Sequence, residues 1–338
     1  MSNYEYNAAL IGTGTIGLSF AALHLMTISA SGGKTRVSIY DPRPQLKEYI
    51  DETLPGYLSN VWASTAQKAS YATAPTVSSL LESGQLVLAE TLAAAVKDAD
   101  LVQEQGPENV AFKQKIWAEI EANAPISALF WTSTSGITAS TQGALMLQPE
   151  RLLVLHPFNP PHIMPLLELV TSTSGADKAS TSGEKTEEDV LVQRTLAYWN
   201  SRGRQPVILR KEVTGFVANR LAMALLREAA YLVEQGVASA ADIDRIVEQS
   251  LGPRWAVHGP FWSYHAGGGA GQGLGAFFDK IGGTVQACWD DAGKVNLGEG
   301  DWQERLVKQV EGAYGVLGES QLKDRDDKMK QILDVTMQ

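Results

Sequence analysis

The chain has 338 residues, 44% of them hydrophobic and 20% charged, long enough for two domains and ordinary in composition for a globular enzyme. Its 28 Lys and Arg against 38 Asp and Glu leave a net charge of −10, which argues against nucleic acid as a main partner, because that binding is driven by neutralising phosphates. The one cysteine, Cys288, allows no internal disulfide and points to a reducing, cytoplasmic setting, and no apolar run reaches the roughly 18 residues of a membrane span. The polar segment from Met1 to Asn7 does not read as a signal peptide.

Ala8-Ala9-Leu10-Ile11 reads as a short buried strand, and Gly12-Thr13-Gly14-Thr15-Ile16-Gly17 follows at once. A helical pattern runs from Leu18 to Ile28, and Arg36-Val37-Ser38-Ile39-Tyr40-Asp41 reads as a second strand ending in an acid. Each glycine has a separate task. Gly12 permits the tight turn, Gly14 lets backbone approach a pyrophosphate, and Gly17 lets helix pack on strand. The helix start offers unpaired N–H groups to phosphates. Thr15 and Ile16 belong to the same loop, and Asp41 is placed to accept hydrogen bonds from a ribose. A carboxylate there repels a 2′-phosphate, so the cofactor expected is NAD rather than NADP. Arg43, two residues on, is the one opposing signal.

Farther along, helices are expected at Gln45–Thr53, Ala63–Ala72, Thr76–Ser83, Leu92–Asp98 and Phe112–Ala122. Strands are expected at Val87-Leu88, Leu101-Val102-Gln103, Ala128–Trp131, Leu152–Leu155 and Leu166–Val170. Thr171–Thr186, rich in Ser, Thr, Gly and Lys, reads as a mobile surface loop, followed by a helix to Ser201 and a strand at Gln205–Arg210. Beyond about Lys211 the pattern is wholly helical. Gly215–Gln235 is long and apolar, and Ala240–Ser250 follows with Ser239 as its N-cap. The expected fold is an α/β domain of Rossmann type over 1–211, a mostly parallel sheet with helices on both faces, plus an all-α domain over 212–338.

Residues 131–168 carry the chemistry. The strand ending at Trp131 runs into Thr132-Ser133-Thr134-Ser135, and the next ends at His156-Pro157-Phe158-Asn159-Pro160-Pro161. Histidine titrates near neutrality and can both take and return a proton. Glu168, inside an apolar run, needs a partner and can fold back onto His156 across the proline-stiffened turn. No metal is called for.

With the segment Gly215-Phe216-Val217-Ala218-Asn219-Arg220, these motifs make the chain resemble the 3-hydroxyacyl-CoA dehydrogenase superfamily over nearly its whole length, within it the L-gulonate 3-dehydrogenase, lambda-crystallin and L-carnitine dehydrogenase branch. The resemblance implies that His156 is the base and Glu168 its partner, that Ser135 and Asn219 hold the reacting oxygen, and that Glu108 and Lys113 lie near the nicotinamide half of the cofactor. It also implies a homodimer through the helical domain. One departure is Ser133, where hydroxyacyl-CoA members often carry Asn.

For the substrate, the region from Gln45 to Leu88 offers only Lys47 and Lys68 to hold the phosphates of CoA, which favours a small free hydroxy or oxo acid. Arg254, in Gly252-Pro253-Arg254-Trp255-Ala256, is suited to a bidentate pairing with a free carboxylate. Asn159 and Trp255 are further candidates for substrate contact. Trp255, Phe261, Trp262 and Tyr264 are either ordinary helical core or a cation–π cage for a carnitine-like trimethylammonium. An L-3-hydroxyacyl-CoA dehydrogenase and a crystallin-like structural protein remain the alternatives.

Overall fold

The structure is a computed structural model that describes residues 4–26, 32–64, 73–171 and 187–337. The sequence readings at Lys68, at the ends of the helices expected to reach Ile28 and Ala72, and at 172–186 lie outside these residues. By internal contacts the chain divides into two compact units, Met1–Arg220 and Leu221–Gln338.

The first unit is built on an eight-stranded sheet. In chain order it holds β1 (Tyr4–Ile11), α1 (Thr15–Met26), β2 (Lys34–Tyr40), α2 (Leu46–Ser64), α3 (Val77–Glu82), β3 (Leu86–Leu88), α4 (Leu92–Val96), β4 (Leu101–Glu104), α5 (Val110–Asn123), β5 (Leu129–Thr132) and α6 (Ala139–Gln142). It continues with β6 (Leu152–Pro157), β7 (Leu166–Thr171), α7 (Glu187–Asn200), β8 (Gln205–Leu209) and the start of α8 (Ala218–Glu234). The strand order is β3-β2-β1-β4-β5-β6-β7-β8, and every neighbouring pair is parallel except β6 with β7. The order reverses between β1 and β4, where an open α/β sheet leaves a crevice at the strands' carboxyl ends.

Strands β4, β5 and β6 are buried along their whole length, as apolar runs covered by helices on both faces should be. Their side chains alternate between two cores. Leu101, Trp131, Leu153 and Leu155 pack with α1, α2 and α7, whereas Val102, Phe130 and Val154 pack with α4 and α5. The fold is therefore a Rossmann-type α/β domain followed by helices, as the sequence indicates.

Two boundaries differ from the sequence reading for physical reasons. Helix α2 runs unbroken through Pro55, because Ile50, Leu54, Leu58 and Val61 form one fully buried stripe that holds both halves against the same core. Helix α8 begins at Ala218 rather than Gly215, because Gly215 and Phe216 both adopt positive φ, 76° and 52°. That kink leaves the first N–H groups of α8 without partners inside the helix.

The second unit continues α8 and adds α9 (Ala240–Gln249), α10 (Leu251–Val257), α11 (Pro260–Gly267), α12 (Gly273–Asp291), α13 (Trp302–Tyr314) and α14 (Glu319–Thr336). Ser239 caps α9 by accepting from the Asp242 N–H at 3.2 Å. Among the described residues no helix is long and apolar enough to cross a membrane.

Candidate active site

The glycine loop joins β1 to α1 at the point where the strand order reverses. Gly12 has φ of 98°, and a Cβ there would press on the Gln105 carbonyl at 3.1 Å. A Cβ on Gly17 would lie 2.2 Å from the Gly12 oxygen, so only glycine lets α1 start so close to β1. Gly14 faces open space, with nothing within 4 Å of a built Cβ. These three environments fit a dinucleotide pyrophosphate resting on the loop and the start of α1. Thr15 and Ile16 open α1 there, and Ile16 reaches the wall of the neighbouring cavity.

Asp41, just past β2, closes the loop. Its Oδ2 accepts from the Thr13 N–H at 2.8 Å and from the Thr13 hydroxyl at 2.6 Å. Its Oδ1 accepts from the backbone N–H of Arg43 and from Nε of the same residue, both at 3.0 Å. Burial pushes the Asp41 pKa up, but the bonds from Arg43 and Thr13 outweigh burial and bring it to about 2. Arg43 thus spends its charge on Asp41 and lies over the Tyr49 ring, 3.8 Å from the centroid. Arg43, the opposing signal in the sequence, thus has its guanidinium paired with the Asp41 carboxylate.

At the other end of the sheet the antiparallel register sets His156 directly opposite Glu168. His156 Nδ1 lies 2.8 Å from Glu168 Oε2, and both side chains are buried. Oε1 of Glu168 accepts from the N–H groups of Val217 and Ala218, each at 2.9 Å. These are the N–H groups that the late start of α8 leaves over, and a carboxylate at a helix N-terminus is favoured. Burial works against ionised Glu168, yet His156 and then the two backbone donors prevail and lower its pKa. Phe216 lies against the imidazole, with ring centroids 5.0 Å apart. With Nδ1 committed, Nε2 is the ring nitrogen left for the cavity that His156 lines.

That cavity holds about 350 Å³ and is lined by Ile16, Ser133, Ser135, His156, Pro157, Phe158, Asn159 and Asn219. Asn219 Nδ2 donates to the Ser135 carbonyl at 3.2 Å, which ties the start of α8 to the loop after β5. Glu108 grips the same loop, accepting from the Ser135 and Gly136 N–H groups at 2.9 and 3.1 Å and from the Thr134 hydroxyl. Lys113 lies one layer deeper. Its Nζ is 2.9 Å from both oxygens of Glu104 and 3.7 Å from Glu108, and neither Lys113 nor Glu104 is exposed.

The structure therefore brings Ile16, Ser135, His156, Asn159, Glu168 and Asn219 together, with Glu108 and Lys113 supporting one wall. Arg254 and Trp255 lie on α10 in the second unit, where both are exposed. Within that unit His258 stacks on Trp262, with ring centroids 3.5 Å apart. Sequence reasoning missed the Val217 and Ala218 N–H groups and the role of Glu104 as the anchor of Lys113. In the sequence Glu104 stands as an acid at the end of an apolar strand.

The arrangement offers a positioned imidazole, two groups able to hold an oxygen beside it, and a neighbouring dinucleotide cradle. Comparison with known proteins agrees. Residues 7–213 match the family model for the 3-hydroxyacyl-CoA dehydrogenase NAD binding domain, and residues 215–281 match that of the 3-hydroxyacyl-CoA dehydrogenase C-terminal domain. An L-carnitine dehydrogenase of Mesorhizobium japonicum is 33% identical over 97% of this chain and 82% of its own. A 3-hydroxyacyl-CoA dehydrogenase of Gibberella moniliformis is 32% identical over 96% of this chain and 92% of its own. Among solved structures, an NAD⁺-dependent 5-formyl-3-hydroxy-2-methylpyridine 4-carboxylic acid 5-dehydrogenase superposes with a TM-score of 0.72 at 26% identity, covering 98% of both chains. The chain is an NAD-dependent oxidoreductase that belongs to the 3-hydroxyacyl-CoA dehydrogenase family.

Proposed function

We propose that the protein oxidises the 3-hydroxyl of a small free L-3-hydroxy acid to the 3-oxo acid, reversibly, with carnitine-like or gulonate-like acids as substrate. The observation that carries this reading is the His156–Glu168 pair, held at 2.8 Å and opening on a cavity shared with Ser135 and Asn219. NAD supplies the hydride acceptor when bound. His156 Nε2 takes the proton of the hydroxyl and returns it in the reverse direction. Glu168 keeps the imidazole in one tautomer and favours the imidazolium that forms. Ser135 and Asn219 hold the hydroxyl oxygen, Asn159 lies on the same wall, and Glu108 and Lys113 support the nicotinamide half of the site.

Several features support a free acid. The relatives named L-carnitine dehydrogenase span most of the chain. Arg254 is an exposed guanidinium suited to a carboxylate, beside the aromatic Trp255. The second unit also exposes Leu221, Met223 and Leu226 of α8 and Phe261 and Trp262 of α11, which supports a homodimer through that unit. The lone Cys288 supports a cytoplasmic location. The alternative acyl-CoA reading draws on the Gibberella moniliformis relative.

A panel of L-carnitine, L-gulonate, L-3-hydroxybutyrate and L-3-hydroxybutyryl-CoA, followed by NAD reduction, decides between them. Turnover of the thioester without turnover of any free acid sinks the proposal. Replacing Arg254 by Ala should raise KM for the free acid roughly tenfold to a hundredfold while kcat changes little. An unchanged KM removes Arg254 from the carboxylate site.

A further inference from the structure

Behind the cavity, a line of buried polar side chains runs from its wall into the sheet, and the proton transfer described above does not use it. Ser133, just past β5, lines the cavity. Gln103 of β4 donates from Nε2 to Ser133 Oγ at 3.0 Å, and Gln103 Oε1 lies 3.0 Å from His24 Nε2 of α1. His24 Nδ1 lies 2.5 Å from the Tyr198 hydroxyl of α7. His24 and Gln103 are wholly buried and Tyr198 is 2% exposed.

The direction of these bonds follows from Gln103. Its Oε1 can only accept, so the facing His24 Nε2 carries a proton. Burial brings the His24 pKa down to about 3, so the ring is neutral and carries a single proton. That proton sits on Nε2 and is donated to Gln103 Oε1, so Nδ1 accepts from the Tyr198 hydroxyl. The amide must then turn its N–H toward Ser133, whose oxygen accepts. The Ser133 O–H is left to donate into the cavity.

We propose that Tyr198, His24 and Gln103 are positioning residues forming a one-way donor relay, and that this relay makes Ser133 a dedicated hydrogen-bond donor to a carbonyl oxygen bound in the cavity. That oxygen belongs either to the nicotinamide carboxamide or to the 3-oxo group of the substrate. The inference rests on the cavity being the dehydrogenase site. NADH affinity and the His24 tautomer are read without substrate, so an error in the proposed acid does not disturb them.

Gln103→Glu keeps the shape of the side chain but removes its N–H, so the carboxylate draws the Ser133 proton away from the cavity. The full-length enzyme carrying Gln103→Glu, Ser133→Ala or both is compared for NADH dissociation constant, KM and kcat. Each single variant should lose roughly tenfold in NADH affinity or in kcat/KM, the worth of one hydrogen bond. The double variant should lose no more than either single one, because Gln103 acts through Ser133. A loss in NADH affinity assigns the acceptor to the nicotinamide, and a loss confined to KM assigns it to the substrate. Nitrogen-15 NMR of labelled histidine should find His24 neutral with its proton on Nε2. Unchanged kinetics and NADH binding in Ser133→Ala, factors that multiply in the double variant, or a His24 proton on Nδ1 each overturn the relay. Should Gln103→Glu not fold, Tyr198→Phe tests the same relay from its far end. It keeps the ring and frees Nδ1, and it should mix the His24 tautomers and give a smaller loss of a few-fold. An unmixed tautomer and unchanged activity overturn the relay there too.

Discussion

Asp41 and Glu168 are two carboxylates held in the same manner and turned to different ends. Each accepts two backbone N–H groups, Asp41 from Thr13 and Arg43, Glu168 from Val217 and Ala218. Each has its pKa lowered against the pull of burial. The difference is the third partner. Asp41 meets a guanidinium, which stays charged at any ordinary pH, so the pair is a fixed, neutral fixture beside the dinucleotide loop. Glu168 meets an imidazole, a group able to gain and lose a proton, so the same support is suited to the acid–base role proposed for it. Backbone donors make a carboxylate dependable, and the side chain opposite decides whether it can do chemistry.

Replacing the two partners and the two acids tests this comparison. The largest effect is expected from His156→Ala, which should lower kcat by about 10²- to 10⁴-fold while NADH affinity stays within about twofold. Near-normal turnover, read by NAD reduction under saturating substrate, would falsify the assignment. Glu168→Gln comes next. It keeps the volume, but its amide N–H must face either His156 or the α8 donors, so the ring loses its enforced tautomer. A fall of about a hundredfold in kcat, with a smaller change in KM, is expected. If kcat instead holds and only the melting temperature drops, Glu168 serves the α8 terminus rather than the imidazole.

Asp41→Asn should act on binding, weakening NADH roughly tenfold and narrowing the preference against NADPH. It should also alter acid unfolding. The Asp41 pKa is depressed from 3.8 to about 2, so the folded chain binds this proton more weakly than the unfolded chain. The stabilisation is complete above about pH 4 and is lost as pH falls through about 2. Urea titrations across that window should show a flatter acid slope in Asp41→Asn, and parallel slopes would disprove the contribution. Arg43→Ala should be the mildest. The pair is partly open to solvent, so neutral-pH stability should change by about 1 kcal/mol or less in urea titration. A larger loss would mean that Arg43 holds the loop rather than merely neutralising its acid.

Much of this was legible before folding, and the legible parts share a character. Gly12, Gly14 and Gly17 announce a strand-turn-helix because steric demands on the backbone act within a few residues. The buried strands announce themselves as apolar runs, and Ser239 announces the start of α9 by local capping. His156 and Glu168 stand out through residue type and an awkwardly apolar setting. Helix α2 was harder to read, because Pro55 argues locally for a break and only the shared core of Ile50, Leu54, Leu58 and Val61 overrules it.

The sequence by itself determined the glycine loop, the acid beyond β2 and the candidate base, since each depends on the conformational needs or chemistry of a short segment. The pairing of Glu168 with His156 across the proline-stiffened turn was legible as well, and tertiary structure added the antiparallel register of β6 and β7 that sets the two opposite each other. Tertiary structure alone decided that positive φ at Gly215 and Phe216 delays α8 so that two N–H groups meet Glu168, and that Tyr198, His24 and Gln103 line up behind Ser133. In each of these cases the partner that satisfies a buried polar atom comes from a remote part of the chain. Which remote group fills that role follows from packing and strand register, neither of which a local pattern carries.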